Sequence, residues 1–286
     1  MSASLRGARR RRPIPVGHYL RIGGGVLACG LFLFPVCWMV LTSFKLPVEI
    51  FTTPPTFIFK PTLVNYISNI AHSDVPYRMM NTVIVATGAG ALSLVAGSMA
   101  GYALARIRLR GAATMGALIL LSRGVPPIAL AVPMFLVSRK LGLLDNHITL
   151  ILAYCSFLIP YVMWLMRGFF MSLPVELEEA AKLDGCSRFG AFWRIIVPIS
   201  LPGLLSTLIF SVILAWEELL FALVLTNRFA TTIPVAVAGI AGDTVNGANW
   251  GVLTAVGTLT VIPVVIFALL VQKWLIKGLA DGATKG

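Results

Sequence analysis

Charge is scarce in this chain: across 286 residues, Asp, Glu, Lys and Arg make up 12%, against 58% hydrophobic residues. That balance excludes a water-soluble globule and assigns the chain to a membrane. Histidine and cysteine are equally thin. His18, His72 and His147 stand far apart with no HExxH-like spacing, so no metal site is expected. Cys29, Cys37, Cys155 and Cys186 form no CxxC pair and read as small apolar fillers or free thiols. A GxxxxGK[ST] phosphate loop is missing too, since none of the seven lysines precedes Ser or Thr. No hydrophilic stretch reaches the ~100 to 200 residues of a separate solute-capturing domain. A membrane enzyme would need a nucleophile, base or metal set, and none is legible, so the chain is expected to be non-catalytic.

What is abundant is long apolar runs. Windows 22–44, 79–105, 148–166 and 250–272 have the length of about 20 residues needed to cross a bilayer and carry no Asp, Glu, Lys, Arg or His. Windows 111–138 and 199–225 have the length but contain Arg123 and the pair Glu217 and Glu218. The expectation is an all-α integral membrane protein with six transmembrane helices. The spans are separated by an external loop 45–78, a cytoplasmic loop 167–198 and an external loop 226–249, with tails 1–21 and 273–286.

An even number of crossings leaves both termini on one side. Of the basic residues, sixteen share that side, from the Arg9 to Arg12 run through Arg106, Arg167 and Lys182 to Lys285. Six lie opposite: Lys45, Lys60, Arg78, Arg139, Lys140 and Arg228. The positive-inside rule then makes both termini cytoplasmic, with the chain in a cell membrane. The basic excess is thereby explained by anionic lipid headgroups, with no nucleic acid partner. The first apolar run is too long for a signal peptide and lacks a small-x-small cleavage site, so it reads as a retained anchor.

The 167–198 loop carries the strongest local signals. Ser172 and Pro174 are helix-start residues, and Glu176, Glu178 and Glu179 suit the positive end of a helix dipole. Gly185 stops that helix. Ser187 can cap a second, amphipathic one through Phe189, Phe192 and Trp193, until Pro198. This helix-turn-helix is either a docking knob, with Ala180 and Ala181 allowing close approach, or an interfacial helix resting on headgroups.

Inside the bilayer, Arg123, Glu217 and Glu218 each cost at least ~2.5 kcal/mol if charged and exposed to lipid. Two readings stand. One is a path bordered by a carboxylate, with Trp216 offering a stacking face to whatever passes; the other is an ion pair from Arg123 to a Glu that locks spans three and five. Gly97 and Gly101, with Gly88 and Gly90, favour close helix packing. Pro126, Pro127 and Pro133 should break or kink span three, and Pro160 span four.

Glu179-Ala180-Ala181, Gly185, Ile195 and Pro198 are spaced as in, and resemble, the EAA loop of binding-protein-dependent ABC importer permeases, with Val197 replacing the commoner Leu. The string from Glu179 to Gly185 is similar to the sugar-importing branch, carbohydrate uptake class 1. Trp216 to Thr226 resembles that branch's Trp-Asn-Glu-Phe stretch, with Glu217 in place of Asn. Gly278-Leu-x-x-Gly282-Ala-x-Lys285-Gly286 resembles the close of its shorter, maltose-transporter type permease.

The resemblance implies a type I ABC importer transmembrane fold and a cytoplasmic EAA coupling helix. It implies that Glu179, Ala180, Ala181, Lys182, Asp184, Gly185, Ile195 and Pro198 couple to an ATPase, which Gly278, Gly282, Lys285 and Gly286 also touch. The implied partners are a second permease subunit, two copies of a cytoplasmic ABC ATPase binding ATP and Mg, an external solute-binding protein and a sugar, working by alternating access. Trp216, Glu217, Glu218 and Arg123 are the candidate substrate path. A rival, an ion-gradient-driven secondary transporter, would explain six spans and intramembrane carboxylates but leaves the loop without a purpose.

Overall fold

Hydrocarbon offers no water to backbone N–H and C=O groups, so apolar runs of this length must satisfy them internally as helices. A computed structural model describes residues 16–71, 73–107, 110–243 and 249–283. Most of the basic N-terminal tail falls outside them. The helices are α1 (Val16–Ser43), α2 (Pro47–Ile50), α3 (Val75–Arg106), α4 (Ala112–Leu121), α5 (Pro127–Lys140), α6 (His147–Ser172), α7 (Glu176–Leu183), α8 (Arg188–Ala191), α9 (Val197–Ile199), α10 (Leu201–Trp216), α11 (Leu220–Leu225), α12 (Ile233–Ala241) and α13 (Trp250–Ala283).

Among the described residues, α1, α3, α6 and α13 each have the length and hydropathy to cross a membrane alone. The third expected span is two helices, α4 and α5, meeting at 88°. The break has a clear cause. Pro127 occupies the first turn of α5, and the residues before it, Val125 and Pro126, are extended, which closes the preceding Ser122–Gly124 turn. Pro133 and Pro160, by contrast, lie within continuous helices, α5 and α6. The fifth expected span also differs from one rod: Arg188–Ile199 meets α10 at 79°, and α10 and α11 are separated at Glu217 to Leu219.

The central core forms where α3, α6, α10 and α11 converge. Val85, Ala86, Ala89, Leu150, Tyr154, Leu158, Val212, Trp216 and Phe221 are all buried there. Small residues bring the backbones together. A Cβ on Gly97 would lie 2.7 Å from the Val162 side chain, and one on Gly101 would lie 2.8 Å from the Met163 carbonyl oxygen. α1 stands apart, packing chiefly on α13, where a Cβ on Gly257 would come within 2.9 Å of Met39 Sδ. The connection after α1 is fastened by buried Lys45, whose Nζ donates to the Thr56 carbonyl at 2.6 Å and lies 4.7 Å from the centre of the Trp38 ring. Asn65 Nδ2 completes the fastening by donating to the carbonyls of Ser43 and Lys45.

Close approach of α3 and α6 yields a measurable consequence. Gly101→Ala forces a methyl against main-chain atoms that cannot swing away, and the expected loss is about 1–3 kcal/mol. It should appear as a lower unfolding midpoint in detergent. Gly30→Ala on α1, where nothing lies within 4 Å of the new Cβ, serves as the silent control. Equal midpoints for the two variants would contradict this packing.

Candidate functional site

The loop between α6 and α10 owes its shape to one glycine and one serine. Gly185 has φ +83°, a conformation in which a side chain is strained. It closes α7 in a Schellman arrangement, with Cys186 N donating to Ala181 O at 2.9 Å and Gly185 N to Lys182 O at 3.1 Å. Ser187 Oγ then accepts from Gly190 N at 3.1 Å and starts α8. The chain continues through a wide turn, Phe192–Ile196, and α9 into α10.

α7 has two distinct faces. Glu179, Ala180, Lys182, Asp184 and Gly185 are exposed, and with them Leu183 at 89%. Glu178 and Ala181, three residues apart and therefore on one side of the helix, are buried. The two alanines thus do different things: Ala180 belongs to the outward surface, Ala181 packs inward. Ile195 is half-buried and Pro198 exposed, in the arm leading to α10. Gly278 and Gly282 lie in the last turns of α13, while Lys285 and Gly286 fall outside the described residues.

Glu178, 4% exposed, is held by residues from the end of α3. Arg106 Nε lies 2.9 Å from Glu178 Oε1, an ion pair without hydrogen-bond geometry. Tyr102 Oη donates to Oε2 at 3.0 Å, and Arg106 Nη2 donates to the Leu173 carbonyl at 2.6 Å. The Tyr102 ring is packed against Phe170 and Phe192, so the ion pair sits at the edge of an apolar cluster. Removing one partner of such a pair leaves a buried charge and costs roughly 3–5 kcal/mol. Sequence reasoning places Glu178 on the helix dipole and Arg106 among the positive-inside charges. It misses their union because the partners come from segments 76 residues apart at Tyr102 and Glu178.

The mid-span charges are not paired with each other. Arg123 is exposed, with its guanidinium carbon 5.2 Å from the centre of the Tyr161 ring, and no carboxylate of the described residues pairs with it. Of the two readings, the Arg123 to Glu pair is not formed among the described residues: Arg123 follows α4 at the 88° break and lies against Tyr161 of α6. Glu218 caps α11, its carboxylate accepting from Phe221 N at 3.0 Å and Ala222 N at 3.4 Å. Trp216 is 2% exposed within the core, so its ring is a packed wall and offers no open stacking face. Of the adjacent Trp216, Glu217 and Glu218, Glu217 is the exposed one, in a groove of about 420 Å³ shared with Leu219, Pro234, Val237 and Thr260.

At the opposite end of α3 from Arg106, a second polar knot holds the segment after α11. Asn81 Nδ2 donates to the carbonyls of Phe229 and Thr231, which turns its Oδ1 toward His147 Nε2 at 2.8 Å, and that nitrogen must then carry the proton. Asp145, with φ +58°, accepts from four successive main-chain N–H groups, Asn227, Arg228, Phe229 and Ala230, at 2.8 to 3.1 Å. Burial opposes ionisation, yet these four donors outweigh it and hold the Asp145 carboxyl below the ordinary aspartate value.

Because the folded value is the lower one, this stabilisation is complete above the unfolded carboxyl's pKa and is lost as pH falls through the folded value. The thermal midpoint should therefore decline below about pH 4. Asp145→Asn should start about 1–2 kcal/mol less stable at pH 7 and show less of that acid decline. Parallel curves for the two proteins would show that the carboxylate does not hold the loop.

Both the sequence and the helical bundle are similar to those of known proteins. Residues 93–281 match the family described as the binding-protein-dependent transport system inner membrane component. A probable ABC transporter permease of Sinorhizobium fredii is 38% identical over 255 residues, covering 89% of this chain and 91% of the relative. A trehalose/maltose transport system permease of Thermococcus litoralis is 34% identical, covering 93% and 96%. Among solved structures, a bacterial ABC transporter involved in the import of the acidic polysaccharide alginate has the same fold, with a TM-score of 0.72 at 23% identity over 92% of this chain and 99% of that one. The chain therefore belongs to the binding-protein-dependent ABC transporter permeases, as a multi-pass, non-catalytic subunit of an importer.

Proposed function

We propose that this permease forms half of the pathway of a sugar importer, with both termini cytoplasmic. The trehalose/maltose relative, similar over nearly its full length, supports a saccharide as solute. The bias of sixteen basic residues to six supports the orientation. Capture falls to a separate solute-binding protein on the outside, and the second half of the pathway to a partner permease. ATP and Mg are bound by two copies of a cytoplasmic ATPase, since this chain has no phosphate loop.

The observation that carries the coupling role is the outward face of α7. Leu183, 89% exposed beside Glu179, Ala180 and Asp184, is an apolar tip on a rigid, Gly185-terminated helix, suited to a cleft in the ATPase. Closure of the ATPase pair on ATP would displace α7 and, through the two ends of its loop, tilt α6 and α10, exchanging inward for outward access. Lys182, Ile195 and Pro198 shape that knob and its arm; Gly278, Gly282, Lys285 and Gly286 meet the same subunit at the C-terminus.

In the pathway, Glu217 in its groove and Arg123 at the helix break are the polar groups offered to a polyhydroxylated solute. Glu218 and Trp216 act behind them, by holding α11 and walling the groove.

The coupling role is tested with the purified complex. Leu183→Asp buries a charge in the docking cleft and should lower co-purification of the ATPase about tenfold or more. Gly185→Pro, which cannot adopt a positive φ, and Glu179→Lys should abolish the rise in ATP hydrolysis on adding the binding protein. Full co-purification with full stimulation in all three variants would exclude α7 as the coupling helix.

A further inference from the structure

The coupling loop is joined covalently to α6 and α10, and it is also held by side chains of α3, a helix that does not adjoin it in the chain. Arg106 grips the loop at two places, the Leu173 carbonyl before α7 and the Glu178 carboxylate within it. A charge pair with a hydroxyl donor on the same carboxylate resists sliding, because any displacement strips a buried ion of its partner.

From Arg106 the helix continues without slack. Gly101, Gly97 and Gly88 place α3 so near α6 that a methyl at any of them would come within 2.8 Å of an α6 atom. Gly90 is only marginally looser, its methyl falling 2.9 Å from Val212 of α10. At the far end, Asn81 and Tyr77 both donate to the Phe229 carbonyl, and Thr82 Oγ1 accepts from Ile233 N at 2.8 Å. Ile233 opens α12, whose Pro234, Val237 and Ala238 line the groove containing Glu217. One continuous helix thus connects the buried face of α7 to the segment 226–233 and to that groove, roughly 38 Å away at about 1.5 Å per residue.

We propose that Arg106 and Glu178 are positioning residues of the transport cycle: their ion pair makes α3 a third lever of the coupling helix and carries its displacement to the 226–233 segment. The inference rests on α7 docking the ATPase, and the experiment separates the two.

The full complex, with partner permease and ATPase pair, is reconstituted in nanodiscs after replacing the four cysteines, and spin labels are placed at Met80→Cys on α3 and Val265→Cys on α13. The label separation is measured without nucleotide and with ATP plus vanadate. The parent complex should change its separation on trapping. Arg106→Met/Glu178→Leu keeps an apolar, filled site without the ion pair. It should retain its ATPase, lose at least about half of the change in separation, and lose about fivefold or more of the stimulation of ATP hydrolysis by the binding protein.

Glu178→Gln, which keeps side-chain size and an acceptor for Tyr102, gives the same reading if the double variant does not assemble. A parent complex whose labels stay still with the ATPase bound overturns the lever, as do variants with an unchanged response. Failure of docking is recognised separately, by Leu183→Asp leaving the ATPase bound and the labels moving as before.

Discussion

The structure depends on one buried charge pair at the end of a membrane helix. Arg106 and Glu178 meet beside aromatic rings, where neither ion is fully hydrated and neither can be left alone. Glu178 points inward because of that pairing, and with α7 rotated this way Glu179, Ala180, Leu183 and Asp184 are turned outward. A helix of eight residues has no stability of its own in water. Its fixed orientation comes from Glu178 on one flank and from the Schellman closure at Gly185 on the other.

The same economy of polar groups governs the rest of the bundle. In a membrane each exposed backbone or charged group needs a local partner, and the breaks in this fold supply them. Where α10 and α11 separate, Glu218 accepts the freed N–H groups of Phe221 and Ala222, so a residue that looks like a pathway charge is an element of backbone satisfaction. Where the chain after α11 runs without helix, Asp145 and Asn81 take its N–H and C=O groups. Among the described residues Glu217 and Arg123 cap no backbone groups: both are exposed, Arg123 against the Tyr161 ring and Glu217 in its groove.

Much of this architecture is legible in the order of residues alone. Four of the apolar windows coincide with α1, α3, α6 and α13, the Gly97 and Gly101 pair marks a close helix contact, and Gly185 and Ser187 mark the turn of the coupling loop. The legible features share a property: each is caused by residues within a few positions of one another. Prolines are more ambiguous. Pro127 starts a new helix while Pro133 and Pro160 sit inside continuous ones, because of the three only Pro127 is preceded by residues that leave the helical region.

By itself, the sequence determined that this is a polytopic helical membrane chain with a helix-turn-helix in its 167–198 loop. Hydrophobic length and turn chemistry are local properties, set by residues close together in the chain. Which carboxylate of the Glu176, Glu178 and Glu179 group is buried, which mid-span charge is left without a partner, and which helix holds the knob were decided only by the tertiary structure. Those outcomes depend on pairing across segments far apart in the chain, and a buried charge selects its partner by distance in space.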